Sequence, residues 1–383
     1  MRLTDCHKIE DFRELARRRL PAPIFHYIDG GADDEATLAR NTTAFDDWDL
    51  VPAVLAGMTD VDLTTTVLGR ELKMPLFLSP TAMHRMFHHE GEAAVARVAD
   101  RFSTMYGIST IATTSIETLG ALTDGPKLFQ LYVHNDQALT FDLVDRCKAC
   151  GFDALALTVD TIVGGNRERD LYTGFTTPPK LTLASLLSFA LHPSWSINYL
   201  AREKMILANI APYMKPGADL SSTVVEYINT QLASNISWDD AARIRERWGG
   251  PFAIKGIVSV DDAHRAVDIG ATAIMVSNHG GRQLDGSLSS IDALGDIVEA
   301  VGGRIEVILD GGIRRSTHVL KALAMGATAC SGGRLYLYAL AAGGEAGVGR
   351  AVKLLHAEIV RDMMLMGCKR IADLDRSKIR YRK

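Results

Sequence analysis

The sequence predicts an α/β fold, a parallel (β/α)8 barrel, on three observations. Short apolar runs alternate with helical patterns along the chain, as in repeated strand–helix units. The runs number eight, the count that closes a barrel. No GxGxxG follows the first run, which sets aside the doubly wound open sheet.

In chain order the expected strands are PLFLSP (75–80), MYGIST (105–110), LFQLY (128–132), ALALTV (154–159), FAIK (252–255), AIMVS (273–277), EVILD (306–310) and TACSGG (328–333). They are short and mostly apolar, as strands covered on both faces should be. EGEAAVARVADRF, NDQALTFDLVDRCKA, SVDDAHRAVDIG, SSIDALGDIVEAV and STHVLKALAMG supply helices between them, several with Ser or Asp at the start and Gly at the end. Residues 1–74 form an N-terminal helical extension, and the chain, 1–383, reads as one barrel domain. Residues 175–237 are an insertion after strand four, longer than an ordinary βα connection. Its stretch 181–200, LTLASLLSFALHPSWSINYL, is broken at Pro193 and too short to span a bilayer. It suits either a lid or a peripheral membrane contact.

At 47% hydrophobic and 23% charged, the 383 residues support a large core. A net charge of −4 excludes a global basic field for nucleic acid. The start lacks an apolar secretory core, and five cysteines, an odd number, fit a reducing compartment. The expected location is therefore cytoplasmic. Cys147 and Cys150 form a CxxC at the end of a helical stretch, where redox motifs do not sit. The loop HRMFHHEG (84–91) has three histidines, but no metal site is expected.

Polar residues gather where the strands end, which in a barrel is where chemistry gathers. They are Ser79 to Ala82, Ser109, Gln130 with Tyr132, Thr158 with Asp160, Lys255, Ser277 with His279 and Arg282, Asp310 to Arg314, and Gly332 to Arg334. So many imply a site large enough for a cofactor. DGGIRR and SGGR would seat a phosphate on backbone N–H groups and two guanidiniums, Arg314 and Arg334. Lys255 suits a Schiff base or a fixed cation beside a cofactor ring; its company favours the cation. His279 and Asp160 look like a base and its orienting carboxylate. Arg282 and Arg167 suit a carboxylate clamp, Tyr27 and Tyr132 can donate hydroxyls to the same small substrate, and Gly280 and Gly281 leave room beside the imidazole.

The stretches HYIDGGADDE, PTAM, FQLYV, LTVD, IKG, SNHGGRQLDG, LDGGIRR and GGR, in this order, resemble the FMN-dependent L-2-hydroxy acid oxidases and dehydrogenases. That family includes glycolate oxidase, lactate oxidase, mandelate dehydrogenase and the bacterial respiratory L-lactate dehydrogenase. The resemblance implies that Pro80, Thr81, Ala82, Ser109, Gln130, Thr158, Lys255 and Ser277 hold the FMN ring and ribityl chain. Asp310, Gly311, Gly312, Ile313, Arg314, Gly333 and Arg334 would take ribityl and phosphate. His279, Asp160, Tyr132 and Lys255 fall on catalytic positions, and Tyr27, Tyr132, Arg167 and Arg282 on substrate-binding ones. The implied reaction takes an L-2-hydroxy acid to the 2-oxo acid. Ile111, where glycolate oxidase has Trp, and Gly164 imply room for lactate or a larger acid. The insertion and FHYIDGGA are similar to the respiratory lactate dehydrogenase. They imply a quinone or other respiratory acceptor at the inner face of the cytoplasmic membrane. PTAM reads like the oxidases, so oxygen as acceptor, with hydrogen peroxide as product, is the alternative. The family also implies a homotetramer. A Schiff-base aldolase and a barrel that merely binds a phosphorylated ligand are the readings from other classes.

Overall fold

The structure, a computed structural model, describes residues 1–175, 180–202, 205–213 and 230–382. Eight parallel strands close into a barrel: β1 (Leu76–Thr81), β2 (Tyr106–Ser109), β3 (Lys127–Leu131), β4 (Ala154–Thr158), β5 (Phe252–Ile257), β6 (Ala273–Val276), β7 (Glu306–Asp310) and β8 (Ala329–Gly332). All eight fall on the runs expected from sequence, because a strand buried on both faces must be apolar throughout. β5 runs on to Ile257 through a register irregularity after Lys255.

The barrel interior is a core of its own. Phe77, Met105, Leu128, Met275, Ile308 and five alanines fill it, joined by Val67, Leu68 and Leu72. The last three come from a hairpin, Thr65–Val67 with Arg70–Leu72, which plugs the end where the strands begin. Glu306, first in β7, accepts a hydrogen bond from the Leu68 backbone and ties the plug on. With that end sealed, the opposite end is left for a ligand.

Helices wrap the outside. Those at Val260–Asp268 and Ser290–Val301 are capped by the hydroxyls of Ser259 and Ser289, and the one at Gln137–Ala149 by Asp136. Cys147 is buried on this last helix, and Cys150 follows its end. The sequence reading missed the longest element, Arg334–Met366, which departs from helical backbone at Gly343 and Gly344. AAGGEAG interrupts its pattern, so no continuous helical period is visible. The N-terminal helix Ile9–Arg19 packs on it, and Trp48–Leu50 pairs with Ile379–Tyr381, joining the two ends of the chain.

Of the insertion, helices Leu183–Leu191 and Pro193–Leu200 are described, with the break at His192. Proline starts the second helix, where its missing N–H costs nothing. Residues 176–179, 203–204 and 214–229 of the expected 175–237 insertion lie outside the described residues. No helix among the described residues is long and apolar enough to cross a membrane.

Candidate active site

A cleft opens at the C-terminal ends of the barrel strands, with about 1280 Å3 of space including its mouth. The cleft is lined by Pro80, Thr81, Ala82, Ser109, Gln130, Thr158, Lys255, Asp310, Gly311, Gly312, Arg314, Gly333 and Arg334, and also by Tyr27, Tyr132, Arg167, His279 and Arg282. Asp160, Ser277 and Ile313 stand behind the wall rather than on it; Ile313 is fully buried in the core.

His279 Nδ1 lies 2.9 Å from Asp160 Oδ1, and the Tyr132 hydroxyl 3.5 Å from His279 Nε2. Nδ1 donating to the carboxylate leaves Nε2 facing the cleft as an acceptor. Thr161 Oγ1 donates to Asp160 Oδ1 at 3.0 Å and lies 3.2 Å from His279 Nδ1. Burial pushes the Asp160 carboxyl up, but His279 and Lys255 outweigh it, and the net shift is downward. Burial raises the Tyr132 phenol well above its ordinary range, so it stays a hydroxyl donor.

Backbone conformation makes this pairing possible. His279 is itself in the left-handed region, φ 57°, a conformation uncommon outside glycine and concentrated at functional sites. Gly256 has φ 112°, and a Cβ there would sit 2.7 Å from the Asp160 Cβ. Only glycine lets β5 back so closely onto Asp160. Gly281 also clears space, but for a different neighbour than expected. A Cβ on it would strike the Leu38 backbone nitrogen at 2.5 Å, so its room serves the helix Ala36–Thr43 rather than a substrate.

Lys255 and Asp310 form the second buried unit. Nζ lies 2.8 Å from Asp310 Oδ2 and donates to Ser277 Oγ at 3.0 Å. Ser79 and Ser331 each donate to Asp310 Oδ1 at 2.6 Å, and Ser277 to Oδ2 at 2.8 Å. Burial raises the Asp310 carboxyl, but Lys255 and the serines more than reverse this and bring it to about 2. Burial lowers the Lys255 ammonium, yet Asp310 and Asp160 carry it above its usual value. Asp310, expected among the ribityl and phosphate contacts, has its carboxylate saturated within the protein.

The arginines are similarly committed. Arg334 donates from all three guanidinium nitrogens to the carbonyls of Ile28, Gly280 and Gly30, at 2.8, 2.8 and 2.7 Å. Burial lowers its pKa to about 10. Arg314 contacts the Ile313 carbonyl at 2.9 Å and lies over the Tyr338 ring, the more available of the two for an anion. Arg282 donates to the carbonyls of Tyr27 and Gly30, and Arg167 pairs with Asp170 at 3.4 Å. Both stack their guanidiniums on the Tyr27 ring, at 5.0 and 5.3 Å.

Residues the sequence reading left without a role stand on the wall, as Thr161 and Gln283 do, or buried behind it, as His84 does. Gln283 holds the carbonyls of Asp160 and Val163, and sits inside the stretch SNHGGRQLDG. Thr161 directly follows Asp160 in LTVDT; adjacency was its one signal. His84 is buried against Thr81 Oγ1, 2.6 Å away, and the Tyr106 hydroxyl at 3.2 Å. Nothing in HRMFHHEG separates this histidine from the other two.

A cofactor fit can be tested on the protein's own unpaired atoms. Gln130 Nε2, Thr158 Oγ1 and Asp160 Oδ2 are buried with no hydrogen-bond partner among the described residues. Gln130 and Thr158 line the cleft beside Lys255. Unpaired buried polar atoms are costly, and a planar heterocycle with ring carbonyls and ring nitrogens would satisfy an amide donor, a hydroxyl and a cation together.

Barrel, cleft and donor set define a barrel protein whose strand ends offer a seat for a planar heterocycle. The profile of the FMN-dependent dehydrogenase family matches residues 16–381, and the chain belongs to that family, with FMN as its cofactor. The chain is 42% identical over 371 residues to the L-lactate oxidase of Nostoc sp., covering 96% of each chain. It is 39% identical over 370 residues to the L-lactate dehydrogenase of Vibrio parahaemolyticus, covering 96% of this chain and 97% of that one. Among solved structures, the monotopic membrane protein (S)-mandelate dehydrogenase superposes with a TM-score of 0.93 at 34% identity, over 98% of this chain and 100% of that one.

Proposed function

We propose that this protein oxidises an L-2-hydroxy acid, lactate or a larger one, to the 2-oxo acid, and passes the electrons to a quinone or other respiratory acceptor. The observation that carries the chemistry is the His279–Asp160 pair at 2.9 Å, with Nε2 turned to the cleft beside Tyr132. FMN supplies the two-electron acceptor when bound. Lys255 then serves as the buried cation beside it, held in place by Asp310.

His279 takes a substrate proton at Nε2, and Asp160 steadies the imidazolium through Nδ1. Arg282 and Arg167, stacked on Tyr27, receive the substrate carboxylate. Tyr132 donates its hydroxyl to the oxygen at C2. Ile111 and Gly164, both on the cleft wall, leave the side-chain end open for an acid larger than glycolate.

The respiratory acceptor is supported by the helices Leu183–Leu191 and Pro193–Leu200. Leu183 and Leu200 are 86% and 80% exposed, Leu187, Leu191 and Ile197 more than half exposed. Exposed apolar side chains of this kind on two neighbouring helices fit the interface of a membrane. The named relatives include an oxidase, and its chemistry is the second reading: electrons to oxygen, with hydrogen peroxide as product. Assembly as a homotetramer belongs to the same proposal.

The test is anaerobic mixing of the purified yellow protein with L-lactate, L-mandelate and glycolate, followed by reoxidation with air or a quinone analogue. Bleaching by an L-2-hydroxy acid and faster return of colour with quinone are expected. Failure of every acid to bleach the flavin overturns the substrate class. Rapid peroxide formation with no acceleration by quinone overturns the acceptor.

A further inference from the structure

A second cavity, with about 1330 Å3 of space including its mouth, lies between the N-terminal helix, the loop after β1 and the two insertion helices. Phe87, a buried phenyl ring, lines this cavity and the FMN cleft alike. On the cleft side the ring stacks with Tyr27, centroids 6.3 Å apart.

The far wall is aromatic. Trp195 and Tyr199 stack face to face at 5.0 Å and 11°, and Trp195 donates from Nε1 to the Met86 carbonyl at 3.0 Å. That bond ties the insertion helices to the loop carrying Phe87. Leu191 lines the cavity and is 69% exposed, so an apolar side chain of the first insertion helix stands at the opening.

The polar lining is one-sided. The lining contains arginines and histidines and no carboxylate among the described residues; Glu14, 2.9 Å from Arg18, and Glu90, 3.4 Å from His88, pair with two of them from outside it. His88 and His89 stack at 4.4 Å, and burial together with His89 pushes His88 down to about 4, so it offers a neutral imidazole. A flat ring that gains negative charge at its oxygens is stabilised by such donors and cations.

We propose that this cavity is the docking site for the ring of a lipid-soluble quinone, with its apolar chain leaving past Leu191 toward the surface formed by the insertion helices. The inference rests on the reading that the acceptor is a quinone, and it specifies where that acceptor sits. The hydroxy acid gives up two electrons and two protons in the FMN cleft, becoming the 2-oxo acid. Two electrons then pass Phe87 to the quinone. Its two carbonyl oxygens take two protons from water at the open mouth, and the hydroquinone leaves. Overall, hydroxy acid plus quinone gives oxo acid plus hydroquinone.

The test uses FMN-loaded full-length protein, decylubiquinone as probe, and the variants Trp195→Ala and Tyr199→Ala. Three quantities are measured: tryptophan fluorescence quenching on titration with the quinone, anaerobic bleaching by the hydroxy acid, and reoxidation of the bleached protein by the quinone. Wild type should show saturable quenching. Both variants should bleach at the wild-type rate, yet need at least tenfold more quinone for half-maximal reoxidation. Trp195→Ala should also lose most of the quenching. Wild-type quinone dependence in both variants overturns the site while leaving the quinone reading standing. A wild-type protein that the quinone does not reoxidise overturns both together.

Discussion

Lys255 Nζ stands 2.8 Å from Asp310 Oδ2; Lys255 lies two residues before the end of β5, Asp310 ends β7, and the two are brought together across β6. Each is buried, and Asp310 is further held by Ser79, Ser277 and Ser331. A buried charge of either sign alone would be expensive; as a hydrogen-bonded pair they place a fixed cation at the cleft.

Lys255→Met leaves Asp310 buried without its counter-charge. The expected loss is about 3–5 kcal/mol of stability, the usual consequence of breaking one side of a buried pair. Double replacement with Asp310→Asn should recover much of it. Thermal or denaturant unfolding of the two variants checks this, and an unchanged midpoint in Lys255→Met would contradict the pairing.

The same pair sets an acid limit. The Asp310 carboxyl is near 2 in the folded protein against an ordinary 3.8, so its folded pKa is depressed. A depressed carboxyl contributes stability that is full above the unfolded pKa and lost as pH falls through the folded one. Stability should therefore decline between about pH 4 and pH 2, and Asp310→Asn should flatten that part of the profile. Denaturant titrations across this range measure it.

His279→Gln keeps a side chain of similar reach but offers no base at the position facing Tyr132. Bound FMN should be retained, and its reduction by an L-2-hydroxy acid should fall by roughly 10²–10⁴-fold, the ordinary worth of a general base. Stopped-flow bleaching gives the ratio; normal reduction would remove His279 from the chemistry.

Asp160→Asn removes the charge opposite the imidazolium while keeping the size. The maximal rate of flavin bleaching should fall at least tenfold with little change in half-saturation, because Arg282 and Arg167, the proposed carboxylate clamp, are left in place. A rise in half-saturation at constant maximal rate would instead make Asp160 a binding residue.

Ile111→Trp fills the side-chain end of the cleft. Turnover of mandelate or a long-chain 2-hydroxy acid should drop about 10-fold or more relative to glycolate, in keeping with hydrophobic-pocket discrimination of roughly 10–200-fold. Parallel kcat/KM values for the two acids decide it.

The strands were legible because doubly buried β-structure must be apolar, and the polar residues at their ends stood out against that background. The break at Pro193 was legible because proline cannot continue a helix. The helix Arg334–Met366 was not, since Gly343 and Gly344 interrupt its period and its packing on Ile9–Arg19 comes from the far end of the chain. Arg314 and Arg334 read alike in sequence, yet one has three carbonyls to hold and the other one.

The order of residues alone determined which side chains reach the mouth of the barrel, because strand length and alternation with helices fix where each strand ends. Their partners were decided only by closure of the barrel. Asp160 meets His279 across a strand, Lys255 meets Asp310 the same way, and Phe87 comes to line two cavities. Such pairings depend on strand order, on register and on a left-handed turn at His279, none of which is local to the residues that meet.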